Sequence, residues 1–160
     1  MLVVADSSPV NVLVRIGHVD VLPELFQQVA IPLEVARELS QPRTPQEVRD
    51  WINKPPTWLT VRAPAQIEPI ARLDPGERAA ISLAQELGAD FLLIDEKAGR
   101  RAAVERRLAI IGTIGILERA ADQGLLNLKD AFARVRQTEF FVSDDLIAAA
   151  LARQRKPTAL

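Results

Sequence analysis

The chain has 160 residues, 48% hydrophobic and 26% charged, with a formal net charge of −1, which is a globular composition and neither a disordered nor a strongly basic one. It contains no cysteine and one histidine, His18. That excludes disulfides, thiolate nucleophiles and thiolate metal sites, and leaves little for histidine relays or zinc-type histidine clusters. Chemistry here falls to carboxylates, hydroxyls or a bound metal, and with aromatics at 4% base stacking is not expected as a main binding device.

In chain order, LVVA reads as a short buried strand ending on Asp6, and Ser7-Ser8-Pro9 as the cap of a helix whose apolar face runs to Gly17. Asp20–Gln27 reads as a short helix with Pro23 near its start, VAI as a brief strand, and Pro32 as the opening of PLEVARELS, which carries Glu34, Arg37 and Glu38. QPRTP is a loop, and QEVRDWINK a polar helix with Trp51 and Ile52 inward. KPPTW breaks the pattern before LTVRA, an expected edge strand, and APAQIEPIAR is a proline-interrupted connector.

The stretch Leu73–Arg101 is the most informative. Asp74-Pro75 reads as N-cap and first helical residue, and Ala80, Leu83, Ala84 and Leu87 form an apolar stripe ending at Gly88. FLLI then reads as a buried strand that delivers Asp95 at its carboxyl end, where ligands bind in open α/β sheets. Glu77 shares a helix face with Ala80, Ile81 and Ala84 and so points inward. KAGRRAAVERR is a basic helix, AIIG a further strand, and GTIG a tight turn into GILERAADQG. LKDAFARVRQ and SDDLIAAALAR close the chain as helices, the second capped by Ser143. Strands alternating with helices predict one α/β domain over residues 1–160, with a mostly parallel sheet covered on both faces. No apolar run approaches ~18 residues and the N-terminus lacks a signal pattern, so a soluble, cytoplasmic protein is expected.

Asp6, Glu38, Glu77 and Asp95 each fall at a strand end or on a helix bordering the same crevice. Gathered carboxylates repel one another, and a divalent cation removes that conflict. Oxygen-only ligands select Mg²⁺ or Mn²⁺ over zinc. Each residue also has a plainer reading. Asp6 caps the following helix, Glu77 completes a capping box with Asp74, and Glu38 lies solvated one turn after Glu34. Asp95 is the one such readings explain least.

The segment Val3–Val10, with its Asp at the end of the first strand, and the segments IPLEVAREL, LDPGERAAISLA, FLLIDEKAGRRAA and IIGTIGILERAADQGLL together resemble the PIN-domain nucleases, in particular their VapC-like branch. The resemblance implies a three-layer α/β/α fold around a mostly parallel sheet. It also implies a Mg²⁺- or Mn²⁺-dependent endoribonuclease that hydrolyses RNA to 5′-phosphate and 3′-hydroxyl ends. Asp6, Glu38, Glu77 and Asp95 would be the metal-binding carboxylates, with Glu77 where an Asp is more usual. Ser7 matches a hydroxyl beside the first Asp, and Thr113 stands where many relatives carry a further Asp, Ser or Thr, so a fifth acid is missing. Lys97, Arg100, Arg101, Arg106 and Arg107 follow Asp95 on one helix and are expected to form a phosphate track, Arg100 and Arg101 foremost.

The branch further implies the toxin of a toxin–antitoxin pair, with a small antitoxin as partner. The apolar helices from Val10 to Gln27 and Leu146 to Leu151 suggest a homodimer. The alternative is a catalytically degenerate PIN-like module that binds RNA or protein. Other α/β phosphotransfer classes fit poorly. Ser8 stands where haloacid-dehalogenase phosphatases need a second Asp, and Asp6 is followed by Ser7 where receiver domains need an acid pair. The turn after the first strand, Asp6-Ser7-Ser8-Pro9, lacks the glycines of dinucleotide binders. His18, Trp51 and Trp58 read as structural residues.

Overall fold

Five short strands, β1 (Leu2–Ala5), β2 (Gln28–Pro32), β3 (Leu59–Arg62), β4 (Phe91–Leu93) and β5 (Ile110–Ile111), form one parallel sheet in the order β3-β2-β1-β4-β5. They come from a computed structural model that describes residues 1–155. Parallel neighbours require crossovers, and the helices supply them. These are α1 (Ser7–Arg15), α2 (Val21–Leu25), α3 (Leu33–Leu39), α4 (Gln46–Asn53), α5 (Pro75–Leu87), α6 (Lys97–Glu105), α7 (Thr113–Asp122), α8 (Leu128–Val135) and α9 (Asp144–Arg155).

Successive side chains along a strand point to opposite faces, and that alternation sorts the core into two layers. Val3, Ala5, Val29, Ile31 and Leu93 pack with Leu13, Leu22, Ile116 and Phe132 from α1, α2, α7 and α8. Val4, Ala30, Leu92 and Ile94 pack instead with Ile81, Leu83 and Ala84 of α5 and Ala102 and Ala103 of α6. The result is the expected three-layer α/β/α arrangement.

From β1 the chain steps to β2 on one side, whereas β4 lies on the other. The strand order therefore reverses between β1 and β4, and a crevice opens beyond their carboxyl ends. Asp6 and Asp95 leave those two ends. The Asp6 N–H donates to the Leu93 carbonyl at 2.9 Å, which extends the pairing of the two strands to the lip of the crevice.

Local signals hold where they were strongest. Asp74 Oδ1 accepts the Glu77 N–H at 2.8 Å, Pro75 opens α5, and Gly88 ends it at φ 60°. Ser143 Oγ accepts the Leu146 N–H at 3.2 Å, and β3 is an edge strand paired to β2 alone. The helix expected over Asp20–Gln27 is shorter. Phe26 turns extended (φ −133°, ψ 135°) because its side chain is buried and Gln28 is drawn into the sheet, its N–H donating to the Met1 carbonyl. The surplus apolar surface expected from Val10 to Gln27 is not there either. Val10, Leu13, Ile16, Val21, Leu22 and Leu25 are all buried within this chain, while Leu146 is 54% exposed. Among the described residues no helix is long and apolar enough to cross a membrane.

Candidate active site

Asp6 occupies the N-cap position of α1 but makes no side-chain cap bond. Its side chain is buried at 3% exposure, and Oδ1 has no hydrogen-bond partner. Helix capping therefore does not explain this residue. Burial pushes its carboxyl from the ordinary 3.8 up to about 7, with the charges of Asp74, Glu38 and Asp95 adding and the Ser7 backbone opposing.

Asp95 is held differently. The Thr113 N–H donates to Oδ1 at 2.8 Å and the Thr113 hydroxyl to Oδ2 at 2.6 Å. Thr113 opens α7 and is 1% exposed, so it clamps Asp95 from the floor of the crevice. Arg100 reaches back from α6 to donate to the Ile94 carbonyl at 2.8 Å, and its charge also faces Asp95. A Cβ at Gly112 would lie 2.9 Å from both Asp95 Oδ1 and an Arg100 nitrogen, so a larger residue there would displace this pair. Burial still raises the Asp95 carboxyl, against the pull of Thr113 and Arg100.

Glu38 folds over the start of α5. Ser7 Oγ donates to Glu38 Oε2 at 2.6 Å, and a Cβ at Gly76 would collide with the Glu38 carboxylate. The DPGE sequence thus admits Glu38 to the positive end of a helix. Its carboxyl is raised by burial and by Asp74, with Ser7 and the Gly76 backbone opposing. Glu77 is 7% exposed. Only the Asp74 half of the capping box is formed among the described hydrogen bonds. The Glu77 carboxyl lies instead in the acidic field and is pushed up to about 8 by burial first, then by Asp74, Asp6 and Glu96.

Asp6 therefore lies within the electrostatic reach of Glu38, Asp95 and Glu77, while Glu38 and Asp95 line separate clefts. Asp74 joins their field, a role the sequence reading missed because its N-cap role accounted for it fully. Its spacing of three residues before Glu77 was the available signal. Among the described residues, no three His, Cys, Asp or Glu side chains are gathered into a ready-made coordination sphere. What fits a divalent ion is the oxygen-only donor set together with the partnerless buried Asp6 Oδ1.

The basic helix is less uniform than expected. Arg106 forks onto Glu68 with two 2.8 Å bonds and gives a third to the Ala102 carbonyl, so it is already engaged. Arg101 and Arg107 are exposed, and neither lines the clefts that reach Asp95. Lys97 does line one of them. Elsewhere, Trp51 and Trp58 pack with ring centroids 6.0 Å apart, and His18 is half-buried, its ring held below its usual pKa by burial and by Arg134.

A parallel α/β/α domain with buried acids at its switch point presents a ligand-binding crevice lined by carboxylates. The chain belongs to the PIN-domain family: family DUF3368, described as a PIN domain, matches residues 2–156. Among solved structures it is similar to a PilT N-terminus domain protein from the hyperthermophilic archaeon Sulfolobus solfataricus P2. That likeness has a TM-score of 0.50 and 16% identity, covering 89% of this chain and 100% of the other, and it bears on the fold alone. No curated protein matches the chain. PIN domains are generally nuclease-like and generally use divalent metal ions.

Proposed function

We propose that this chain is a Mg²⁺- or Mn²⁺-dependent endoribonuclease of the VapC-like branch, acting in the cytoplasm as the toxin of a toxin–antitoxin pair. The observation that carries the reading is Asp6, a buried carboxylate with an orphaned oxygen at the switch point, facing Glu38, Asp74 and Asp95. Leaving a buried charge unpaired costs several kcal/mol, so such a group persists where a counter-charge is to be bound. Asp6, Glu38, Glu77 and Asp95 would hold the ion. When bound, it would supply Lewis acidity toward a phosphoryl oxygen and relieve the repulsion among these carboxylates. Ser7 fixes the rotamer of Glu38, and Thr113 and Arg100 fix Asp95, so the site is built by neighbours that need not touch the substrate themselves.

A small antitoxin is the expected protein partner, covering the crevice. Of the two apolar stretches behind the homodimer expectation, the one around Leu146 keeps exposed apolar surface, since the first helices bury their apolar faces. One observation favours a second reading, a module that binds without cutting. Thr113, in the place of a further acid, spends its donors on Asp95.

Cleavage of a mixed set of labelled RNAs with Mg²⁺ or Mn²⁺ decides between them. Wild type, Asp6→Asn and Asp95→Asn are compared, each purified free of any partner. The nuclease reading predicts metal-dependent cutting that both substitutions and EDTA abolish. Cutting that survives both substitutions would place the chemistry elsewhere. Folded protein that binds Mn²⁺ and cuts no RNA would establish the binding module.

A further inference from the structure

We infer that Arg15, at the end of α1, is a phosphate-binding residue masked by Glu139, an autoinhibitory latch carried on the chain between α8 and α9. The phosphate is taken from the nuclease reading, whereas the latch stands apart from it. Arg15 lies on the same helix as Ser7, about 12 Å further along its axis. It lines a cleft of about 510 Å³ together with Asp95, Glu96, Lys97 and Glu139.

The masking contact joins two unlike partners. Arg15 Nη1 donates to Glu139 Oε2, yet the Arg15 side chain is 18% exposed and that of Glu139 86%. Part of the guanidinium is left over. Its Nε is buried without a hydrogen-bond partner, and Glu47 stops 3.6 Å away, beyond bonding distance. A guanidinium presents its donors as a fork that meets a phosphate with two parallel bonds. Glu139 engages Nη1 and leaves Nε unmet, so a phosphate that takes both would displace it.

Charge gives the contact its direction. With Glu139 in place, the carboxylates of Asp95, Glu96 and Glu139 outnumber the cations of Arg15 and Lys97 in the cleft. With Glu139 withdrawn, the two signs balance. The hollow behind Arg15 adds Glu47 and Arg134, one of each sign. Glu139 therefore repels a polyanion and withholds the cation that would bind it. Its carrier is lightly held. Residues 136–143 form no helix or strand, and Phe140 and Val142 pack on the core while Phe141 between them is 88% exposed. The far end is tied by an ion pair of Arg136 with Asp144, both exposed. Exposed ion pairs hold weakly and are screened by salt.

Two measurements on the full chain test this, comparing wild type, Glu139→Gln, Arg15→Gln and the double variant. Chymotrypsin cutting at Phe140 and Phe141 reports how often the segment opens. Either single substitution should speed it about two- to fivefold, and about 1 M salt should do the same to wild type alone. Calorimetric titration of inorganic tripolyphosphate reports the masked cation. Glu139→Gln should bind it about two- to fivefold more tightly than wild type. Arg15→Gln should bind it more weakly, and adding Glu139→Gln to that variant should gain nothing. Arg15→Lys in the Glu139→Gln background keeps the charge, loses the fork and should forfeit most of the gain, which guards against misfolding of Arg15→Gln. An oligoribonucleotide should compete with tripolyphosphate, and failure to compete would overturn the assignment to a backbone phosphate. Glu139→Gln matching wild type in both measurements would overturn the latch. Faster cutting with unchanged affinity, or an equal gain without Arg15, would overturn the masking. Metal-dependent RNA cleavage by wild type tests the nuclease reading separately, because neither measurement here needs turnover.

Discussion

The ends of β1 and β4 lie side by side and each delivers an aspartate, yet the two aspartates live under opposite conditions. Asp95 has both oxygens satisfied by Thr113 and a nearby Arg100. Asp6 is more deeply buried, and its Oδ1 has no partner. The first is a positioned group whose geometry is settled before anything binds. The second is a group whose environment asks for a cation. A site built this way combines precision from one strand with affinity from its neighbour, and perturbing each should give different signatures.

The largest expected effect is on Asp6. Asp6→Asn should lower metal-dependent RNA cleavage roughly a thousandfold, the loss expected when several kcal/mol of metal-derived transition-state stabilisation disappears. The same variant should make the metal-free protein more stable at pH 8, visible as a rise in melting temperature of about 2–4 °C per kcal/mol recovered. Thr113→Val removes the hydroxyl that holds Asp95 while keeping the shape. It should reduce cleavage or metal affinity by roughly ten- to a hundredfold, as loss of a partner to a metal ligand does. Because Asp95 remains, high Mn²⁺ should restore part of the rate in this variant and none in Asp6→Asn.

A smaller effect is the pH dependence of the metal-free protein. Asp6 titrates near 7 and Glu77 near 8 when folded, against ordinary values of 3.8 and 4.5. Between those limits the native state binds more protons than the unfolded one, so stability falls as pH rises from about 4 to 8. Urea denaturation across this range should show that decline, and a saturating divalent ion should flatten it. Smallest of all, Ser7→Ala removes one 2.6 Å bond to Glu38 and should cost up to about tenfold in cleavage, in keeping with a hydrogen bond worth ~0.5–1.5 kcal/mol.

What could be read from sequence was local. FLLI announces a buried strand, and the residue after it must leave at the carboxyl end, so Asp95 was placed correctly. Asp74-Pro75 and Ser143 are caps whose partners lie three residues on, within reach of a pattern. The helix face of Glu77 fixed its inward direction, although the plainer capping-box reading described only half of what it does. The unread part is long-range. Thr113 grips Asp95 across 18 residues, and Glu68 captures Arg106 across 38. No spacing rule links such pairs, so Arg106 stood in the expected phosphate track although Glu68 holds it. The burial of Val10 and Leu13 likewise depended on α3, α4 and α7, which pack against α1 only in three dimensions.

The central claim is that the carboxylates at the switch point form a divalent-ion site anchored on Asp6. Calorimetric titration of Mn²⁺ into wild type and Asp6→Asn tests it without requiring a substrate. Saturable binding to wild type, lost in Asp6→Asn and recoverable at higher Mn²⁺ in Thr113→Val, is the predicted result. Equal binding to wild type and Asp6→Asn, or no binding to folded wild type, would contradict it.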